Sequence, residues 1–132
     1  MKRYTRVRKR SKKNTLVTEA DSWVRAIVFA KQGTDGNSGL CAKCGLQKLL
    51  QAAHIFSKGS HPSLRYDLDN VIGLCLRCHI FWAHRDPVAF VDWVEQKYPG
   101  RVDQLRLAAQ MPRKIDLKEL ICVLKSIHKA LT

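Results

Sequence analysis

The chain has 132 residues, of which 24 are Lys or Arg and 11 are Asp or Glu, so its formal net charge at pH 7 is +13. This length is typical of one domain with a modest hydrophobic core, and the positive charge predicts an anionic partner. The longest early apolar run, residues 26–30, is too short for a signal peptide or a membrane span. We therefore expect a cytoplasmic protein without a membrane partner.

The positive charge is concentrated at the N-terminus. Residues 1–15 contain eight of the 24 basic side chains and no acidic one, which leaves a net charge of +5 for the rest of the chain. Because such a segment repels itself and has few apolar groups to pack, residues 1–17 are predicted to form a flexible basic arm. The arm would bind DNA phosphates without reading sequence, and a solvated tail with no role is the alternative. Its candidate DNA-binding residues are Lys2, Arg3, Arg6, Arg8, Lys9, Arg10, Lys12 and Lys13.

Residues 18–40 are predicted to form one helix followed by a loop. Thr18 is a typical N-cap residue, apolar residues then recur at helical spacing, and Gly33 can end the helix. The Gly-rich segment 33–39 predicts the loop.

Residues 41–98 are predicted to form the centre of the fold, in the order strand, excursion, strand, helix. The strands are predicted over residues 49–56 and 70–74, with a Gly- and Pro-containing excursion between them. The helix after the second strand is expected to reach about His84.

Further helices are predicted towards the C-terminus. One begins at Asp86-Pro87, with Pro at the first helical position, and another covers residues 101–110. The last begins with the capping box Asp116-x-x-Glu119 and carries an apolar stripe, which makes a homodimer through the C-terminal helices of residues 99–132 one expectation. Cys122 on this helix is expected to be a buried or half-buried thiol.

Four of the five cysteines form two closely spaced pairs, Cys41-Ala-Lys-Cys44 and Cys75-Leu-Arg-Cys78. Two such pairs can supply a closed tetrahedral site, because each pair places two thiolates on one tight turn. The spacing therefore predicts one structural Zn²⁺. Four free buried cysteines would not explain the paired spacing, and disulfides are disfavoured because nothing in the chain indicates secretion.

The segment between and after these pairs carries polar residues in a recognisable order. Ala53-His54-Ile55, Asn70-Val71 and Cys78-His79 resemble the HNH nucleases, also called His-Me finger or ββα-metal nucleases, which commonly carry Cys-x-x-Cys zinc flanks. The resemblance spans about residues 41–98. The order His54, Ser57-Lys58, Arg65-Tyr66-Asp67, Asn70-Val71 is most similar to phage HNH proteins of the NinG/Rap recombination type, which implies a bacterial host cell.

The resemblance implies a role for each of these residues. His54 would be the general base, since a neutral imidazole is a suitable base at pH 7. Asn70 would orient the loop or the imidazole, and His79 would bind a catalytic divalent cation, Mg²⁺ or Mn²⁺, distinct from the zinc. Such a cation can hold the scissile phosphate and its leaving oxygen.

The sequence departs from the family pattern at the metal site. Many HNH enzymes have an Asp or His ligand just before the base, and here that position is Ala53. His84, Asp67, Gln51, water or substrate phosphate could complete the shell. His79 and His84 are five residues apart, which puts them about 140° apart on a regular helix. His84 is therefore expected to join only if the helix ends or bulges nearby.

These observations together predict an α+β fold, a small zinc-stapled ββα-metal core with flanking helices at both ends. Lys58, Arg65 and Arg77 lie near the proposed site in sequence and are expected to bind phosphate, with a solvated basic face as the alternative. The predicted function is metal-dependent hydrolysis of duplex or branched DNA. The alternatives are a non-catalytic zinc-stabilised DNA-binding module on the same scaffold, and an RNA-binding protein marked by exposed aromatic residues.

Overall fold

The fold comes from a computed structural model that describes residues 11–34 and 36–132. The basic residues before position 11 lie outside the described residues. The chain forms a small three-stranded antiparallel sheet with helices before and after it in sequence, so the predicted α+β class with helices at both ends is confirmed.

Helix α1 spans Lys12–Lys31, and its N-cap lies seven residues before the predicted N-cap. Ser11 is the N-cap, and its side-chain oxygen accepts a hydrogen bond from the Asn14 backbone N–H. Thr18 lies inside the helix, where its hydroxyl donates to the Asn14 carbonyl. The prediction of a helix start at Thr18 is therefore wrong, and residues 12–17 belong to the helix rather than to an arm.

The sheet has the strand order β1-β2-β3, with β1 at Ser38–Leu40, β2 at Gln47–His54 and β3 at Val71–Cys75. Strand β1 pairs with the first part of β2, and β3 pairs with the second part, where His54 is opposite Val71. The predicted strands are present but shifted, by two residues for β2 and by one for β3. Strand β1 lies in the predicted loop, because its short Gly-containing sequence gives no alternating pattern.

The remaining elements follow the predicted order. Helix α2 at Leu76–Cys78 continues directly into one π-helical turn at His79–Ala83. Helix α3 spans Pro87–Lys97, α4 spans Arg101–Ala109 and α5 spans Leu117–Leu131. Asp86 and Asp116 cap α3 and α5 by accepting backbone N–H bonds, as their sequence positions predicted. Short 3₁₀ turns at Pro62–Leu64 and Leu68–Asn70 lie between β2 and β3.

The core lies where α1 covers the sheet and meets α5. It contains apolar side chains from α1, strands β2 and β3 and the C-terminal helices, including Val24, Ile27, Leu50, Val71, Leu74, Val94 and Leu124. The apolar stripe of α5 packs against α1 of the same chain, where Ile121 and Leu124 are buried. Leu120 and Ile127 of the stripe are half-buried, and Leu131 is exposed. Cys122 is exposed, so the expectation of a buried thiol is wrong, because Cys122 lies outside the stripe.

Gln32, the C-cap residue of α1, connects the sheet to the first cysteine pair. Its side-chain amide donates to the Leu40 and Gly73 carbonyls at 3.0 and 2.9 Å, and its oxygen accepts from the Gly73 N–H at 2.8 Å. A Cβ atom at Gly73 would lie only 2.6 Å from this amide, so the contact requires glycine. These hydrogen bonds of Gln32 hold the end of β1, directly before Cys41, beside β3, which ends at Cys75.

Candidate functional site

The four paired cysteines converge in space. Cys41 follows β1, Cys75 ends β3 and Cys78 ends α2, while Cys44 lies on a turn that Gly45 closes with a φ of +73°. All four Sγ atoms lie within 4.8 Å of one another, and those of Cys44 and Cys75 are 3.9 Å apart. Zn–S bonds of about 2.3 Å in a tetrahedron require S···S separations of about 3.8 Å, so the cluster fits a structural zinc ion.

The electrostatics of the cluster favour a cation. Burial by itself raises the pKa of the Cys41 thiol, but backbone N–H groups of Cys44, Cys75 and Lys43 donate to it and lower the pKa to about 7. Burial and the neighbouring cysteines raise the pKa of Cys78. The site thus stabilises one thiolate readily, and a bound divalent cation would stabilise the others by its charge.

His54 lies at the end of β2 and faces a cleft of about 350 Å³ between this strand and α1. Its Nε2 is 3.1 Å from the Arg65 carbonyl oxygen. Because a carbonyl can only accept, Nε2 carries the proton and Nδ1 keeps a free lone pair. Burial lowers the pKa of His54, and the positive charges of Lys58 and Arg65 lower it further, against the opposing effects of the Arg65 carbonyl and Asp21. The imidazole is therefore neutral at pH 7.

The guanidinium of Arg65 is engaged by α1. Its Nε and Nη2 donate to the two carboxylate oxygens of Asp21 at 2.9 and 2.6 Å. Arg65, expected to bind phosphate, thus has a carboxylate partner within the chain. Lys58 and Arg77 are exposed, and Lys58 lines the cleft beside His54.

Asn70 is completely buried and connects three backbone groups. Its oxygen accepts from the Phe56 N–H at 2.8 Å, and its amide donates to the Phe56 and Leu64 carbonyls, each at 3.0 Å. These bonds hold both ends of the excursion between β2 and β3. Of the two roles expected for Asn70, its contacts within the described residues match the orientation of the loop rather than of the imidazole.

The π-helical turn brings His79 and His84 together. The His84 N–H donates to the His79 carbonyl at 3.0 Å, and the two ring centroids are 4.5 Å apart. This is the bulge that the five-residue spacing required. The Nδ1 of His79 donates to Oε1 of Gln51 at 2.8 Å, which leaves its Nε2 lone pair free. Burial lowers the pKa of His79, and the charges of His84 and His54 lower it further.

His54 and the histidine pair lie on different faces of β2. Side chains alternate along a strand, so Gln51 and His54, three positions apart, point to opposite faces. His79 is held on the Gln51 face, whereas His54 faces α1. Within the described chain, no hydrogen bond joins His54 to His79. Ala53 shares the face of Gln51 and is buried, so it offers no ligand atom there.

In the described ranges, the four cysteines are the one group of three or more Cys, His, Asp or Glu side chains close enough to hold a metal ion. No helix among these residues has the length and apolar character to cross a bilayer.

Two contributors to the site were missed from the sequence. Asp21 reads as an ordinary acidic residue of a helix, and Gln32 as a surface residue at its end. Each bonds a residue more than 40 positions away, and no local pattern indicates such a contact.

The geometry defines an α+β protein with a four-cysteine cluster compatible with structural zinc. Comparison with protein-family models, curated proteins and solved structures found no match in any of the three.

Proposed function

We propose that the protein is a metal-dependent DNA endonuclease of the HNH type, in which β2, β3 and α2 with its π-helical turn form the ββα-metal core. The proposal follows the resemblance to phage proteins of the NinG/Rap type and includes action in the cytoplasm of a bacterial host. The net charge of +13 supports an anionic substrate.

The observation that carries this proposal is the convergence of His79 and His84. A regular helix would separate these side chains by about 140°. The π-helical turn instead places their rings 4.5 Å apart, and Gln51 fixes the tautomer of His79 that leaves Nε2 free. π-Helical turns are rare and often mark functional sites. A pair of imidazoles with one oriented by a hydrogen bond is typical of metal binding.

His54 is suited to the part of a general base. Its free Nδ1 can take a proton from water, and its Nε2–H stays bonded to the Arg65 carbonyl. The resulting imidazolium would be stabilised by that carbonyl and by Asp21, which both raise the pKa of His54. Asn70 holds the loop that carries Arg65, and Lys58 lies where it can contact phosphate.

His79 and His84 would hold the catalytic divalent cation. When bound, this cation supplies charge neutralisation at the scissile phosphate and at its leaving oxygen. Mg²⁺ and Mn²⁺ prefer oxygen ligands, so substrate phosphate and water would have to supply the other ligands beside the two imidazoles.

A non-catalytic DNA-binding module is the second candidate, and the buried Ala53 favours it. The position that usually supplies a ligand carries a methyl group, and within the described residues the histidine pair has no carboxylate or third imidazole beside it. An RNA-binding role has less support, because Phe81 is the one large aromatic residue among those described that is exposed. The Arg85 guanidinium lies 5.1 Å from the centroid of its ring.

A plasmid-nicking assay in Mg²⁺ or Mn²⁺ tests the proposal. We expect the wild type to nick DNA only with a divalent cation, and His79→Ala to abolish nicking or raise the cation concentration that it needs. His128→Ala is the matched control, because His128 lies on α5 against Trp23, away from the cleft. DNA binding without cleavage of duplex, single-stranded or branched DNA in either cation would leave the binding module as the function.

The basic N-terminal segment is expected to supply non-specific affinity. Because Ser11 caps α1, the deletion that spares the fold is residues 2–10, which removes six positive charges. The slope of log K against log salt should become shallower by up to about five units, since each phosphate that the segment neutralises adds roughly 0.9 to the slope. Fluorescence anisotropy over a salt series measures this slope, and melting curves should not change. An unchanged slope would make the segment a solubility tail.

A further inference from the structure

Arg65 connects helix α1 to His54. Its side chain forms an ion pair with Asp21 of α1, and its backbone carbonyl lies beside the His54 imidazole. Asp21 binds Arg65 with both carboxylate oxygens, in the bidentate geometry that fixes orientation as well as distance. The carbonyl of Arg65 in turn accepts the Nε2–H of His54. Asp21, Arg65 and His54 therefore form a continuous chain of contacts from α1 to the imidazole.

The Arg65 backbone has little regular structure of its own. It ends a three-residue 3₁₀ turn, and its N–H bond to the Pro62 carbonyl is long, at 3.3 Å. The nearest anchor on the core side is the bond from Asn70 to the Leu64 carbonyl. Asp21 supplies the anchor on the opposite side. The Asp67 N–H also donates to the Leu64 carbonyl at 3.2 Å, so loss of Asp21 would leave this turn closed but release the Arg65 side chain from α1.

We propose that Asp21 is a positioning residue, which holds the Arg65 carbonyl in place so that His54 keeps its Nε2–H tautomer and presents Nδ1 to the cleft. The inference deepens the proposed nuclease function, on which its catalytic meaning rests. Asp21 acts through Arg65 and is not itself required to touch substrate. Helix α1 thus becomes part of the site, although it lies outside the segment that resembles HNH proteins.

The charges around His54 agree with this arrangement. The cleft is lined by Asp21 and Arg25 from α1, by Lys58 from the loop and by the uncharged Ala52 from β2, and the charge of Arg65 also acts on His54. Asp21 is the single acidic side chain of this described set. It offsets the positive charge of Arg65, which would otherwise lie uncompensated next to the imidazole.

A purely structural ion pair is the competing interpretation. Both side chains are about one-third exposed, at 29% and 31%, and ion pairs this accessible to solvent contribute little to stability. Glu19 offers a matched control, since it lies on the same helix and pairs with Lys125 of α5 at 3.6 Å. Glu19→Ala removes one carboxylate and one ion pair, as Asp21→Ala does, but leaves the contacts of His54 unchanged.

The test is the tautomer of His54, measured by ¹⁵N NMR of the imidazole at pH 7.5 in the full chain. We expect wild type and Glu19→Ala to show the Nε2–H form, and Asp21→Ala to show a mixture of both tautomers. The charge-swapped double variant Asp21→Arg with Arg65→Asp should restore the Nε2–H form. A His54 spectrum in Asp21→Ala that matches that of Glu19→Ala overturns the proposal, as does a double variant no better than the single one.

Cleavage kinetics give the second readout. In Asp21→Ala, kcat for nicking should fall roughly tenfold to a hundredfold, as expected for a misplaced base, while the Kd for DNA stays within twofold. An unchanged kcat contradicts the positioning role. If the wild type does not cleave DNA, the tautomer measurement still decides whether Asp21 positions His54, so failure of this proposal and failure of the nuclease proposal are distinguishable.

Discussion

Replacing Cys44 with Ser should lower the melting temperature by roughly 10 °C or more and remove the bound zinc. Structural zinc contributes its binding free energy to folding, because the site rarely exists in the unfolded chain. A loss of about 3 kcal/mol lowers the melting temperature of a domain of this size by roughly 10 °C. The four cysteines lie at the ends of β1, β3 and α2 and on the turn between β1 and β2, so loss of a shared zinc ion would release these elements together.

Cys122→Ser is the matched control for this experiment. Cys122 is exposed on α5 and lies outside the cluster, so the same atom is exchanged without loss of a ligand. Elemental analysis should give about one zinc per chain for the wild type and for Cys122→Ser. A metal-free wild type with an unchanged melting curve would show that the four cysteines do not hold a structural ion.

The elements of the fold that the sequence predicted best are those with local signals. Asp86-Pro87 and Asp116 mark helix starts because capping and the fixed φ of proline act within one turn. The spacing of the paired cysteines predicted a shared metal site, because each pair places two thiol groups on one tight turn. In contrast, the start of α1 was predicted at the wrong residue. Both Ser11 and Thr18 are good N-cap residues, and Ser11 is the one that caps the helix.

The parts of the site that could not be predicted depend on contacts distant in sequence. Nothing in residues 79–83 marks a π-helical turn, since the segment contains neither Gly nor Pro. The turn coincides with tertiary packing, in which Trp82 lies 5.8 Å from the rings of both Phe90 and Trp93 and Ala83 is buried. The sequence therefore indicated that His84 can approach His79 only if the helix ends or bulges between them, but it did not predict the bulge.

Separation of His54 from the histidine pair has a consequence for catalysis. His54 is bound to the Arg65 carbonyl on the α1 side of β2, whereas His79 is bound to Gln51 on the other side. The positive charge that His54 carries when protonated nevertheless lowers the pKa of His79. In the proposed nuclease, the scissile phosphate would have to reach both groups from the end of β2, where His54 lies.

His54→Ala should reduce cleavage by roughly a hundredfold or more, while zinc content and DNA affinity stay near those of the wild type. The substitution removes the free Nδ1 but leaves the cysteine cluster and the exposed basic residues unchanged. Single-turnover nicking at saturating DNA measures the chemical step directly. His128→Ala, which removes an imidazole from α5, should cleave at the wild-type rate. Equal rates for wild type and His54→Ala would exclude His54 as the base.

The pH dependence of cleavage identifies the base more specifically. A base is active when neutral, so cleavage should fall as pH drops through the pKa of His54. Burial lowers this pKa below the ordinary histidine value of 6.5, so the acidic limb should lie below pH 6.5. The charge of Lys58 also lowers the pKa of His54, so Lys58→Ala should move the acidic limb to higher pH. The pH profile should be measured as kcat at saturating DNA, because kcat then does not depend on any DNA affinity lost with Lys58. A limb that does not move, or that moves to lower pH, would assign the titration to a group other than His54.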